Sequence, residues 1–168
     1  MDRPDSIRHW SDLEGKDDAR YPGDDKLLSI GAPLGGLLGL TRLGIHHERL
    51  PPGRRTFYPL AESAEEEFVF VLEGEPDAWI DGHLHRLRCG EAVAFPAGIG
   101  VSHTLINNTD GEVRLLVVGE ASKAENRIHY LLNEAYAAGL AERWVDHEPR
   151  ALGPHDGLPD RMEADRPA

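Results

Sequence analysis

Between Leu27 and Gly119 short apolar or alternating runs are cut repeatedly by Gly, Pro, Asn and Asp, and this punctuation constrains the fold more than any other property of the chain. Runs of that length bounded by turn residues are the pattern of an all-β sandwich or barrel. Candidate strands cover residues 37–50, 67–73, 77–81, 83–87, 91–95, 101–107 and 113–119. Asp81-Gly82 stands between Trp79-Ile80 and His83-Leu84, where a tight hairpin needs residues that tolerate positive φ. Asn108-Thr109-Asp110-Gly111 separates a later pair in a similar way. Both turns call for antiparallel pairing.

Side chains alternate along a strand, so Glu67, Val69 and Val71 share one face and Phe68, Phe70 and Leu72 the other. With Glu67 inward, the Phe68-Phe70-Leu72 stripe forms a patch that a second sheet or a second subunit must cover. Val113 to Val118 is apolar on both faces too. Together these runs predict a homodimer.

The flanks differ in texture. Residues 1–26 are polar, carry Pro4, Gly15, Pro22 and Gly23, and read as an N-terminal arm; residues 27–121 are the barrel; residues 122–168 hold a short helix, near 132–142, and a Pro/Gly-rich tail. His155-Asp156 lies in that tail and is expected to be pinned without chemistry. The run Gly31 to Gly39 is glycine-rich, but no Gly-Lys-Ser/Thr follows it, which excludes a phosphate loop.

Charge narrows the partners. The chain carries a formal −12 and only three lysines, Lys16, Lys26 and Lys123, so it repels nucleic-acid backbones and anionic lipid surfaces. No apolar run is long enough to span a bilayer. Cys89 is the only cysteine, which excludes an internal disulfide and leaves it a small half-buried residue. These features predict a cytoplasmic protein that contacts neither nucleic acid nor membrane.

The stretch Gly90-Glu-Ala-Val-Ala-Phe-Pro96-Ala-Gly98, followed by His103 and Asn107, resembles the second signature of the cupin superfamily. Upstream, Pro52-Gly53 and Glu65-Glu-Glu67-Phe-Val-Phe-Val-Leu-Glu-Gly74 reproduce the frame of the first signature. The Asp77-Ala-Trp79-Ile-Asp-Gly82 hairpin and the Gly153-Pro-His-Asp-Gly-Leu-Pro159 tail are similar to those of bacterial single-domain cupins of the cupin 2 conserved barrel type. The resemblance implies a double-stranded β-helix, or jelly-roll, barrel with an N-terminal arm, a short C-terminal helix and an extended tail.

In that family two histidines, a glutamate and a third histidine converge on one divalent metal. Here the positions fall on Leu60, Glu62, Glu67 and His103, so the first ligand is lost and the second is a carboxylate. Glu62, Glu67 and His103, joined by His47, form the set on which a divalent Zn, Mn, Fe or Ni would bind weakly or not at all. His46 and His47 face opposite ways on a strand, so at most one points inward. His83 and His85 flank a hairpin and read as a solvated face.

The resemblance therefore implies a β-barrel that binds a small polar metabolite, sugar-like or acidic, against Tyr58, Glu62, Glu67, Trp79 and His103, with a degenerate metal site and no assignable reaction. The alternative is a metal-dependent isomerase, dioxygenase or lyase that uses Glu62, Glu67, His103 and a further histidine. Tyr58 and Trp79 would stack on a small ring at the barrel mouth, or else fill the core. Ser102 adjoins His103 but faces away from it, so no Ser-His dyad is legible.

Overall fold

The computed structural model describes residues 3–160. Its strands are β1 (Ile30–Ala32), β2 (Leu43–Leu50), β3 (Ala61–Glu62), β4 (Glu67–Glu73), β5 (Asp77–Ile80), β6 (His83–Arg86), β7 (Ala92–Phe95), β8 (His103–Ile106), β9 (Val113–Glu120) and β10 (Ile128–His129). One-turn helices α1 (Leu34–Leu37) and α2 (Glu134–Ala137) complete the elements used below. A five-stranded sheet runs β1-β2-β9-β4-β7, a three-stranded sheet runs β6-β5-β8, and β10 pairs with β3. All these pairings are antiparallel. Isolated bridges Arg55 to Ile106 and Leu60 to His103 extend the smaller sheet beyond β8. The result is a jelly-roll barrel.

Register assigns the faces. In one row Gly44, Gly119, Glu67 and Phe95 stand side by side across β2, β9, β4 and β7; in the next stand His46, Val117, Val69 and Val93. Val69 and Val71 are fully buried with Leu50, Ala78, Leu105, Val113 and Leu115 in the barrel core. The alternate residues Phe68 and Leu72 remain 40% and 41% exposed. Glycine is required at position 82, where φ is +86° behind Asp81 at +45°, as the hairpin reading demands.

Five elements depart from the sequence expectation. The first long strand begins at Leu43 rather than 37, because Gly35 brings α1 against β2 so closely that a Cβ there would meet Leu43 O at 2.7 Å and Ile45 N at 2.9 Å. The glycine run therefore packs a turn onto a strand. β1, β3 and β10 are too short to leave a periodic signal. The helix expected over 132–142 is the single turn α2, with no side-chain cap on Asn133.

The flanking segments are bound to the barrel. Trp10 stacks on His47 with ring centroids 4.2 Å apart, Glu14 pairs with Arg49 at 2.6 Å, and Tyr21 stacks on Tyr58 at 3.7 Å. At the other end Gly153 N donates to Asp81 O and His155 N to Gly82 O, while the Arg55 guanidinium donates to Gly157 O at 2.8 Å. Residues 161–168 of the expected tail lie outside the described residues. Cys89 is exposed rather than half-buried. Among the described residues no helix is long and apolar enough to cross a membrane.

Candidate functional site

The end of the barrel near Gly44 and Gly119 opens as a cavity of about 300 Å³. Two adjacent inward positions without side chains make the room. A Cβ on Gly44 would make ordinary van der Waals contact with Glu120 O at 3.5 Å and Gly119 O at 3.7 Å, so a small side chain fits there without a clash. β2 supplies His46 and Glu48, β9 supplies Val117 and Glu120, β4 begins at Glu67, and Thr56, Phe57 and Glu62 close the opposite wall. The loop carrying Glu65 and Glu66 forms the rim. Asn126 holds that loop, its Oδ1 accepting from Ala64 N at 3.0 Å and its Nδ2 donating to Glu62 Oε1 at 3.0 Å.

His103 stands on β8 behind this wall, 2% exposed. Its ring lies flat on Phe95 of the facing sheet, with centroids 3.5 Å apart and planes 6° apart, and Phe57 meets it edge-on. Nδ1 is 3.3 Å from Val101 O, a carbonyl that can only accept, so this contact assigns a proton to Nδ1. Nε2 is 3.3 Å from Glu67 Oε1, within ion-pair distance, yet the two are not aligned as a hydrogen bond and neither has another partner. Buried polar atoms are nearly always satisfied, so this pair calls for a water or a ligand group beside it.

Glu62 is the most perturbed carboxyl in the cavity. Burial comes first among the causes that push it from 4.5 up to about 7; repulsion from Glu65 and Glu67 adds to the rise, and the Asn126 amide and His103 oppose it. A carboxyl that titrates near neutrality can give or take a proton at little cost.

A divalent metal is tested by the donors present. Glu67 Oε1 and His103 Nε2 converge, but among the described residues no three His, Cys, Asp or Glu side chains form a ligand set. Leu60, at the first-ligand position, packs among the residues around Tyr58 and Tyr130. Glu62 is drawn toward Asn126. The residues do not fit a three-ligand metal centre.

The remaining predicted residues are dispersed. His47 faces the outer side of β2 beneath Trp10, and burial holds its imidazole below the ordinary histidine value, so the cavity-facing member of the pair is His46. Tyr58 lies outside the cavity with its hydroxyl donating to Asp24 at 2.7 Å. Trp79 is fully buried under the tail, its indole donating to His155 O at 2.9 Å. Of the residues expected to contact a ligand, the structure brings together Glu62, Glu67 and His103. It adds His46 and Glu48, whose signal was the alternation Gly44-x-His46-x-Glu48 on one strand face, and Phe57 and Glu120, which left no such signal.

Asn107, from the same sequence stretch as His103, is structural. Its Nδ2 donates to Leu50 O and Gly111 O, and its Oδ1 accepts from Thr109 N and Oγ1.

A family profile described as Cupin domain matches residues 46–119. Among solved structures, a sugar phosphate isomerase from a cupin superfamily, from Silicibacter pomeroyi DSS-3, is 31% identical with a TM-score of 0.58, and the match covers 61% of this chain and 64% of that one. The chain thus matches just under two thirds of that relative's length. The polyketide cyclase RemF from Streptomyces resistomycificus shares the fold at 23% identity, with a TM-score of 0.59 over 84% of this chain and 95% of that one. No curated protein matches the chain.

Proposed function

We propose that this chain, whose barrel belongs to the cupin superfamily, binds a small polar metabolite in the cavity between Gly44, Glu62 and Glu67. The observation that carries the reading is the unpartnered pair of Glu67 Oε1, whose residue lines the cavity of about 300 Å³, and His103 Nε2 just behind that wall. Glu62 and His46 supply further polar contacts at the mouth. Tyr58 and Trp79 stay with the packing of arm and tail.

The test compares wild type with Gly44→Val in a thermal-shift screen against neutral, cationic and anionic metabolites. Valine suits a strand, and its Cβ meets no hard obstacle at position 44, so the variant fills the cavity without breaking β2. The reading predicts at least one compound that raises the Tm of wild type alone. Equal shifts in both proteins, or none in either, would refute it.

A second reading, a metal-dependent enzyme, draws on the same His103 and Glu67 pair and on the 31% identity to an isomerase. Near-stoichiometric transition metal that disappears in His103→Ala would favour it.

The assembly belongs to the proposal as well. Phe68 and Leu72 remain exposed beside the free edge at β7, while the arm covers only the β2 side of that sheet, so a second copy of the chain is the proposed cover. Sedimentation tests this: a dimer for wild type and a monomer for Phe68→Asp are expected, whereas a monomeric wild type would refute it. The single exposed cysteine and the acidic surface support a cytoplasmic setting away from nucleic acid and membrane.

A further inference from the structure

The charge around the cavity points away from the acidic ligand considered from sequence. Glu48, Glu62, Glu65, Glu66, Glu67 and Glu120 all line it, and among the described residues no lysine or arginine does. The nearby cations are engaged elsewhere: Arg49 with Glu14 and Glu112 on the outer face, Arg54 with Asp17, and Lys123 with Glu120 and Ala64 O at the rim. Among the described residues only Glu120 of the six therefore pairs with a lysine or arginine, while the imidazoles of His46 and His103 stand 3.5 Å from Glu48 and 3.3 Å from Glu67. A concave site with one sign of charge and low-dielectric walls concentrates ions of the opposite sign and excludes those of the same sign.

The spread of the carboxylates decides the kind of cation. They surround a cavity of about 300 Å³ instead of converging on one point, and no three form a metal set among the described residues. Phe57, Val117 and the bare backbone of Gly44 and Gly119 lie between them. A bare ion has no use for apolar wall, whereas a short carbon chain packs on it while its charged end reaches a carboxylate. Nε2 of His103, buried and without a donor opposite it, accepts from an N–H or O–H group brought in beside Glu67.

We propose that the cavity selects a small organic cation, an aliphatic or hydroxylated amine, with the ammonium drawn in by the carboxylates of Glu48, Glu62 and Glu67 along the wall and the carbon chain against Phe57 and Val117. This rests on the reading that the cavity binds a metabolite and adds the charge class. It sets this chain apart from its isomerase relative, since the dianionic phosphate of a sugar phosphate meets like charge here.

The experiment is isothermal titration of the intact chain with three probes of similar length: putrescine, neutral 1,4-butanediol and anionic succinate. Putrescine should bind at least about tenfold more tightly than butanediol, and succinate should not bind. Glu48→Gln and Glu62→Gln should each weaken putrescine about tenfold or more, with unchanged folding by circular dichroism, and Gly44→Val should abolish binding. Butanediol or succinate matching or exceeding putrescine would overturn the charge selection and leave metabolite binding standing. Putrescine binding that survives Gly44→Val would place it outside the cavity and overturn the proposal. Silence from all three probes overturns it too, and the wider metabolite screen then decides separately whether the cavity binds anything.

Discussion

Glu62→Gln isolates the electrostatics of the cavity. In the folded chain the carboxyl titrates near 7, against 4.5 when unburied, so the folded state holds a proton that the unfolded state has released across that interval. A group of this sign stabilises the fold below its unfolded pKa and loses that contribution as pH rises through its folded pKa. The full difference corresponds to about 3 kcal/mol, and solvent screening at a half-buried position reduces it to about 1–2 kcal/mol. For a chain of this size that is about 2–8 °C in Tm.

His47 and His129 are both held below the ordinary histidine value, chiefly by burial, and they push stability the other way over part of the same range. The assay is therefore the difference between wild type and variant, from urea denaturation between about pH 5 and about pH 8. The glutamine keeps the carbonyl that accepts from Asn126 but cannot ionise. Wild type should lose about 1–2 kcal/mol relative to the variant as pH rises. Parallel profiles would refute the assignment of a buried, repelled carboxyl at position 62.

Two further changes test the framework that holds the cavity. Gly82→Ala places a Cβ 2.5 Å from Gly153 at a φ of +86°, so it should lower stability by about 2 kcal/mol or more and open the tail to limited proteolysis; a loss below about 0.5 kcal/mol would show that the tail is not seated there. Asn107→Ala leaves Leu50 O, Gly111 O and Thr109 N without their buried partner and should cost about 2–4 kcal/mol in urea denaturation, whereas a loss under about 1 kcal/mol would contradict its structural role.

The parts of the fold legible from sequence were those with a local physical signal. Alternation at Glu67 to Leu72 gave the correct face of β4, and Asp81-Gly82 gave the hairpin because only a few residue types accept positive φ there. β1, β3 and β10 were invisible because two or three residues carry no period; their pairing is decided by distant partners, as when Ile128 meets Glu62. The arm was read as separate because its polarity hid four anchors, Trp10, Glu14, Asp17 and Tyr21, whose partners lie far along the chain. For the proposed site, motif frames picked out Glu62, Glu67 and His103, which the fold brings near one another. Position alone could not tell that Trp79 would be buried by the tail, whose contact through His155 lies far along the chain, or that His46 rather than His47 would face the cavity, which depends on which side of β2 meets the core. The acid ring was spread over β2, β3, β4, β9 and the intervening loop, so its collective charge became apparent only once those elements closed around one space.

Native mass spectrometry on the chain, purified without tag or chelator and then incubated with putrescine, tests the central claim most directly, because one spectrum distinguishes an organic adduct from a metal. The account predicts one small-molecule adduct per chain that is absent from Gly44→Val and no stoichiometric metal mass. A stoichiometric transition-metal mass that vanishes in His103→Ala, with no organic adduct, would contradict it.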